Sequence, residues 1–142
     1  MIVIDRPNPG TAQRIAQAAR DFEEEVSGHG PESVTVVLSD DALVITLHGA
    51  LSEAERVLVR DPACAAQLRE FHERLFASAA GTLRREIERI TGVEVREATA
   101  EIEPGTGTVM KVFSTGTVVQ VFLLADSVES DVWSSDRHEG EQ

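Results

Sequence analysis

Cysteine is almost absent: Cys64 is the only one in 142 residues, which excludes an intrachain disulfide framework and any cysteine-based zinc cluster. A lone thiol fits a reducing compartment. Tyrosine is missing altogether, and five phenylalanines and one tryptophan leave little surface on which nucleic-acid bases could stack. Positive charge is scarce. Asp and Glu outnumber Lys and Arg 25 to 13, a formal charge of −12, and such a surface repels phosphate backbones and anionic lipid headgroups. No stretch approaches the roughly 18 apolar residues needed to cross a bilayer, and the opening MIVIDRPNPG lacks the basic start and apolar length of a secretory signal. These absences predict a cytoplasmic protein that binds no nucleic acid and does not insert directly into a membrane.

Hydrophobic periodicity supplies the architecture. From Thr11, the residues Ile15, Ala18, Ala19, Phe22 and Val26 recur at three- and four-residue intervals, the pattern of an amphipathic helix. VTVVLSDDALVITLHG then reads as an antiparallel hairpin turning at Ser39, Asp40 and Asp41, with Leu43, Ile45 and Leu47 on one face. Ser52 and Glu55 form a capping box, so a short helix starts at Ser52. Asp61 and Pro62 signal a second start, an acidic cap before a proline at the first helical position. The long helix that follows carries Leu68, Phe71, Leu75, Ala79, Leu83, Ile87 and Ile90 at helical spacing and ends at Gly92. Such a helix, about 40 Å long, invites a partner along its exposed length.

The last third reads as three strands, the final two a hairpin, with a bulge in the first where the apolar phase switches between Val95 and Ala98. The expected fold class is α+β, an antiparallel sheet covered on one face by helices in the order α-β-β-α-α-β-β-β. Residues 1–125 form one domain in this reading, and the acidic residues 126–142 a flexible tail.

Chemistry is sparse. Gly28-His29-Gly30-Pro31 has the composition of a phosphate loop but the wrong order, because here a helix ends and a strand begins, and the negative end of a helix dipole disfavours phosphate. A helix stop accounts for Gly28 and Pro31 and leaves only His29 unexplained, a candidate binding residue. The four histidines, His29, His48, His72 and His138, share no ligand spacing, so no metal site is expected. Glu23, Glu24 and Glu25 crowd a helix C-terminus, which the dipole disfavours; a solvated face explains them most simply. Cys64 lies in the first turn of a helix without a basic neighbour, an inert position. No nucleophile elbow is present. Glu55 and Arg56, just past a sheet-to-helix junction, are the other candidate binding residues, Arg56 because its guanidinium could hold a carboxylate. No catalytic constellation and no cofactor motif emerges, which weighs against an enzyme.

The order of these pieces is distinctive: a helix ending in Gly28-x-Gly30-Pro31, a hairpin turning at Asp40-Asp41, then Gly49-x-Leu51-Ser52-x-x-Glu55-Arg56, a long helix, Thr91-Gly92, and a strand ending in Phe122-Leu123-Leu124. In this order the sequence resembles the MpsC family, small bacterial proteins described as components of a Na+-translocating, membrane-potential-generating system. The resemblance spans roughly residues 11–125, and an extra hairpin arm near residues 105–118 departs from the family pattern. It implies a non-enzymatic accessory or regulatory domain associated with ion transport. The long helix adds self-association, with a dimer as the simplest homo-oligomer, and the partner implied is a membrane transport protein. Two other readings stay open: a ligand-binding or enzymatic domain with a pocket between the sheet and the long helix, and an interaction module that uses the acidic tail and Trp133.

Overall fold

The computed structural model describes residues 10–99, 110–112 and 117–135. Helix α1 (Thr11–Ser27) leads into the hairpin of β1 (Ser33–Ser39) and β2 (Ala42–His48), followed by α2 (Glu53–Leu58) and α3 (Pro62–Thr91). Strands β3 (Val95–Thr99), β4 (Met110–Val112), β5 (Val118–Leu124) and β6 (Asp131–Ser134) complete the described chain. The fold is α+β, in the expected order with one further strand, β6.

Every strand pair is antiparallel, in the order β3-β5-β2-β1-β6. β3 and β4 share one edge of β5 end to end, β3 along Val121–Leu124 and β4 along Val118–Gln120. The register of β3 shifts between Val95 and Glu97, the bulge that the phase switch predicts.

Punctuation in the sequence sets the element ends. Gly28 and Gly92 adopt the left-handed conformation (φ 79° and 76°) that closes α1 and α3. Ser52 and Glu55 form the reciprocal capping box at the start of α2, and the Asp61 carboxylate accepts the Ala63 N–H at the start of α3. At 30 residues, α3 is about 45 Å long.

The inner sheet face presents Val34, Val36 and Leu38 of β1, Leu43, Ile45 and Leu47 of β2, and Val118, Phe122 and Leu124 of β5, all buried. Against it pack Ala12, Ile15, Ala16, Ala19 and Phe22 of α1 and Phe76, Leu83 and Ile87 of α3. Phe76 meets Phe122 in a tilted aromatic pair with centroids 6.0 Å apart. The stripe of α3 differs from the expected one. Its first half buries Leu68, His72 and Phe76, while Phe71 is 50% exposed. The phase is set by the i, i+4, i+8 row running through the histidine.

The tail expected from residue 126 is a second correction. Asp131–Ser134 pair with Leu38–Thr35 of β1, so the packed unit continues past residue 125. The period of two explains it: Trp133 turns inward and packs against the core, whereas Val132 points outward and is 64% exposed. Asp131 also completes α1. The helix has Gly10 as its N-cap, with no side chain to offer, and Asp131 Oδ2 accepts the Ala12 N–H at 2.9 Å. Residues 136–142, the opening run of residues 1–9, and most of the extra arm near 105–118 lie outside the described residues.

Gly49 ends β2 with φ 64°, and a Cβ there would approach the Glu32 side chain to 2.6 Å. Gly49→Ala therefore meets both a left-handed backbone and a close contact. It is expected to lower stability by about 1–3 kcal/mol in urea denaturation; an unchanged midpoint would show that this corner relaxes freely.

Candidate functional site

Three helices and one strand bring polar side chains together in an otherwise apolar interior. Glu23 of α1, His72 of α3 and Gln120 of β5 are only 7%, 5% and 2% exposed. With Phe22, Val26, Leu75, Phe76 and Val118, they line one cavity with about 10 Å³ for an occupant. That is room for about one water molecule. Gln120 Oε1 is buried without a hydrogen-bond partner, an acceptor that costs stability unless something donates to it.

Glu55 joins this cluster to α2. Its Oε1 accepts the Ser52 backbone N–H at 2.9 Å, closing the capping box, while its Oε2 lies 3.3 Å from His72 Nε2. One carboxylate thus starts a helix and also contacts a buried imidazole. α2 itself has no buried residue. The Glu55 to His72 contact links two elements, α2 and α3, whereas the Glu70–Arg74 and Glu86–Arg89 ion pairs lie within α3.

Burial holds the Glu23 carboxyl above its ordinary value of 4.5; His72, Ser27 and His29 oppose the shift, and the Glu55 charge adds to it. A carboxyl raised in this way favours the folded state when protonated. Its contribution is fully present below pH 4.5 and is lost as pH rises through the folded value. Glu23→Gln removes the titration. The variant should be more stable than the parent at pH 7–8 by about 1 kcal/mol, with the difference closing toward pH 4. Thermal melts across that range check the sign, and a variant less stable at pH 8 would mean that the charge is held rather than tolerated.

The residues singled out from sequence fall in different places. Glu55 belongs to the cluster. His29 sits at the neighbouring corner, where its Nε2 lies 3.3 Å from the Gly49 carbonyl oxygen, so the Gly28–Pro31 and Gly49 corners stand side by side. Arg56 is exposed in the last turn of α2. The acidic triplet is split: Glu24 and Glu25 face solvent as expected, but Glu23 does not.

Glu23, His72 and Gln120 carry no motif, yet periodicity marks each of them. Glu23 follows Ala12, Ala16 and Ala19 on one helical row, His72 lies between Leu68 and Phe76, and Gln120 lies between Val118 and Phe122 in the inward phase of β5. A polar residue at a core-phase position was the available signal.

A second hollow, about 360 Å³, lies between α1 and α3 and is lined by Arg14, Asp21, Glu86 and Arg89 among others. Arg89 and Glu86 already pair there, which holds the Glu86 carboxyl below its ordinary value. Among the described residues no group of three or more His, Cys, Asp or Glu side chains is placed to hold a metal ion, and no helix is long and apolar enough to cross a membrane.

No curated protein and no solved structure gives a significant match to this chain. A family model does. It is described as MpsC, Na+-translocating membrane potential-generating system, and it matches residues 10–117, from the start of α1 to the residue before β5. The match takes in the capping box, the two corners and the whole of α3, and on it the chain belongs to the MpsC family.

Proposed function

We propose that this chain is a non-enzymatic accessory or regulatory domain of an ion-translocating, membrane-potential-generating system, working in the cytoplasm beside a membrane transport protein. The family match links it to that system. We propose further that it acts as a homodimer joined through the open face of its sheet.

The observation that carries the dimer is a row of valines on the face turned away from the helices. Val132, Val37, Val44 and Val121 are consecutive cross-strand neighbours over β6, β1, β2 and β5. Thr35, Thr46, Val119 and Leu123 flank them, and the outward positions of these four strands include no Asp, Glu, Lys or Arg. Copies of a chain of net charge −12 repel one another on the whole, and least where a face carries no charge. An uncharged face of this kind is one that a second copy can approach without charge repulsion, and a two-fold stack of sheets sets apolar row on apolar row.

Sedimentation velocity at low micromolar concentration tests the dimer. The parent should sediment as a dimer, and Val37→Lys should weaken it on the order of 100-fold, since two-fold symmetry places the new charge in the interface twice. A parent that stays monomeric at tens of micromolar would remove the dimer. The transport link has its own test: deletion should alter membrane potential under sodium and alkaline stress, and an unchanged potential would remove that part alone. The cavity between sheet and long helix has room for about one water, too little for a metabolite. Trp133 lies within β6 against the core, so it is not free to recruit a basic partner.

A further inference from the structure

We propose that the cavity walled by α1, α3 and β5 is a binding site for one water molecule, which donates a hydrogen bond to Gln120 Oε1 and ties that amide to Glu23 and His72. The inference goes beyond the accessory role and depends on neither the transport link nor the dimer. It rests on an orphan acceptor, the size of the space beside it and the polarity of the walls.

The sheet places the acceptor where it cannot leave. Gln120 holds the inward phase of β5 between Val118 and Phe122, and its backbone is paired on both sides, with Ile45 of β2 and with Met110 of β4. A strand held along two edges cannot turn one residue to the other face without shifting its register. The amide is therefore kept inside, 2% exposed, and its Oε1 has no hydrogen-bond partner among the described residues. An amide oxygen buried in this way gives up the bonds that solvent made to it in the unfolded chain. Immobilising a single water generally costs less than leaving such an acceptor bare.

The space fits that occupant and no larger one. About 10 Å³ is open to it, close to the least that admits a water, and a metabolite or a hydrated cation is far too large. Purely apolar cavities of the protein interior stay dry because a water inside them has nothing to bond. Here Glu23, His72 and Gln120 all line the cavity, each from a different element and each buried. A water that gives one O–H to Gln120 Oε1 keeps a second O–H and its lone pairs for Glu23 and His72. That meets the roughly two to four polar contacts that buried waters make. The cluster is then a hydrated joint, in which α1, α3 and the sheet share one bridging molecule.

The test uses the full chain, methyl-labelled at valine, with laboratory-frame and rotating-frame Overhauser spectra selected on water. Val26 and Val118 line the cavity, so their methyl groups should show water cross-peaks of opposite sign in the two spectra, the mark of a water held far longer than surface hydration. Exchanging protons on Glu23 or His72 can imitate such peaks. Gln120→Leu separates the two sources, because it removes the acceptor and puts apolar carbon of similar size in its place. The cross-peaks should be lost in this variant. Their absence in the parent overturns the site, and so does their survival in folded Gln120→Leu. A crystal structure that shows single waters gives a second check on the parent alone. It should contain one water about 2.5–3.0 Å from Gln120 Oε1; a Glu23 carboxyl seated directly on the Gln120 amide, with no water between them, overturns the proposal.

Discussion

Phe122→Ala should cost about 3–5 kcal/mol, the range for truncating a buried aromatic. Phe122 has no solvent exposure. It sits in the middle of β5, opposite Leu43 of β2 on one side and Ala98 of β3 on the other, and its ring meets Phe76 of α3. It therefore joins three strands and the long helix at one point, and neighbours anchored in separate elements cannot collapse into the space it leaves. Most domains have only 5–15 kcal/mol in total, so the variant should lose about a fifth of its stability or more. Urea denaturation should show a lower midpoint with an unchanged slope. A loss under 1 kcal/mol would mean that α3 does not close on the sheet at this point.

Ending the chain after Glu129 should be the second large effect, about 3 kcal/mol or more relative to a chain ending at Ser135. The shorter chain loses the β6 ladder on β1 and the packing of half-buried Trp133. It also loses the carboxylate that accepts the Ala12 N–H. A cap of this kind contributes about 1 kcal/mol, so Asp131→Ala should account for roughly a third of the loss. Solubility should fall as well, since the uncovered β1 edge becomes a template for strand addition. Equal melting temperatures for the two lengths would show that residues 131–134 lie loosely on the sheet.

The fold was largely legible because its signals are local. Gly28, Gly92, the Ser52 and Glu55 pair and Asp61-Pro62 act within one helical turn, and the β1–β2 hairpin is stated by alternation and two aspartates. β6 was hidden because four residues in an acidic stretch carry too little apolar pattern to outweigh composition; what makes them a strand is an edge of β1 nearly a hundred positions earlier. The site was less legible. Glu55 stands in a motif, but the motif speaks for its capping oxygen and not for the one facing His72. His29 drew notice through unusual neighbours, whereas the buried polar groups, Glu23, His72 and Gln120, occupy places where an apolar residue would have looked ordinary. Their convergence depends on how α1, α3 and β5 stack, which spacing within any one of them does not contain.

The bond from Ala12 to Asp131 spans 119 positions, and it orders events during synthesis. At roughly 5–20 residues per second, α1 emerges about 6–24 s before its acceptor is made. Over that interval the first turn has no cap and the outer edge of β1 has no neighbour. A chain that stops short of β6 therefore shows an unpaired edge of β1 that β6 otherwise covers. Until β6 docks, that edge stays open to any chaperone or protease that reads unpaired strands.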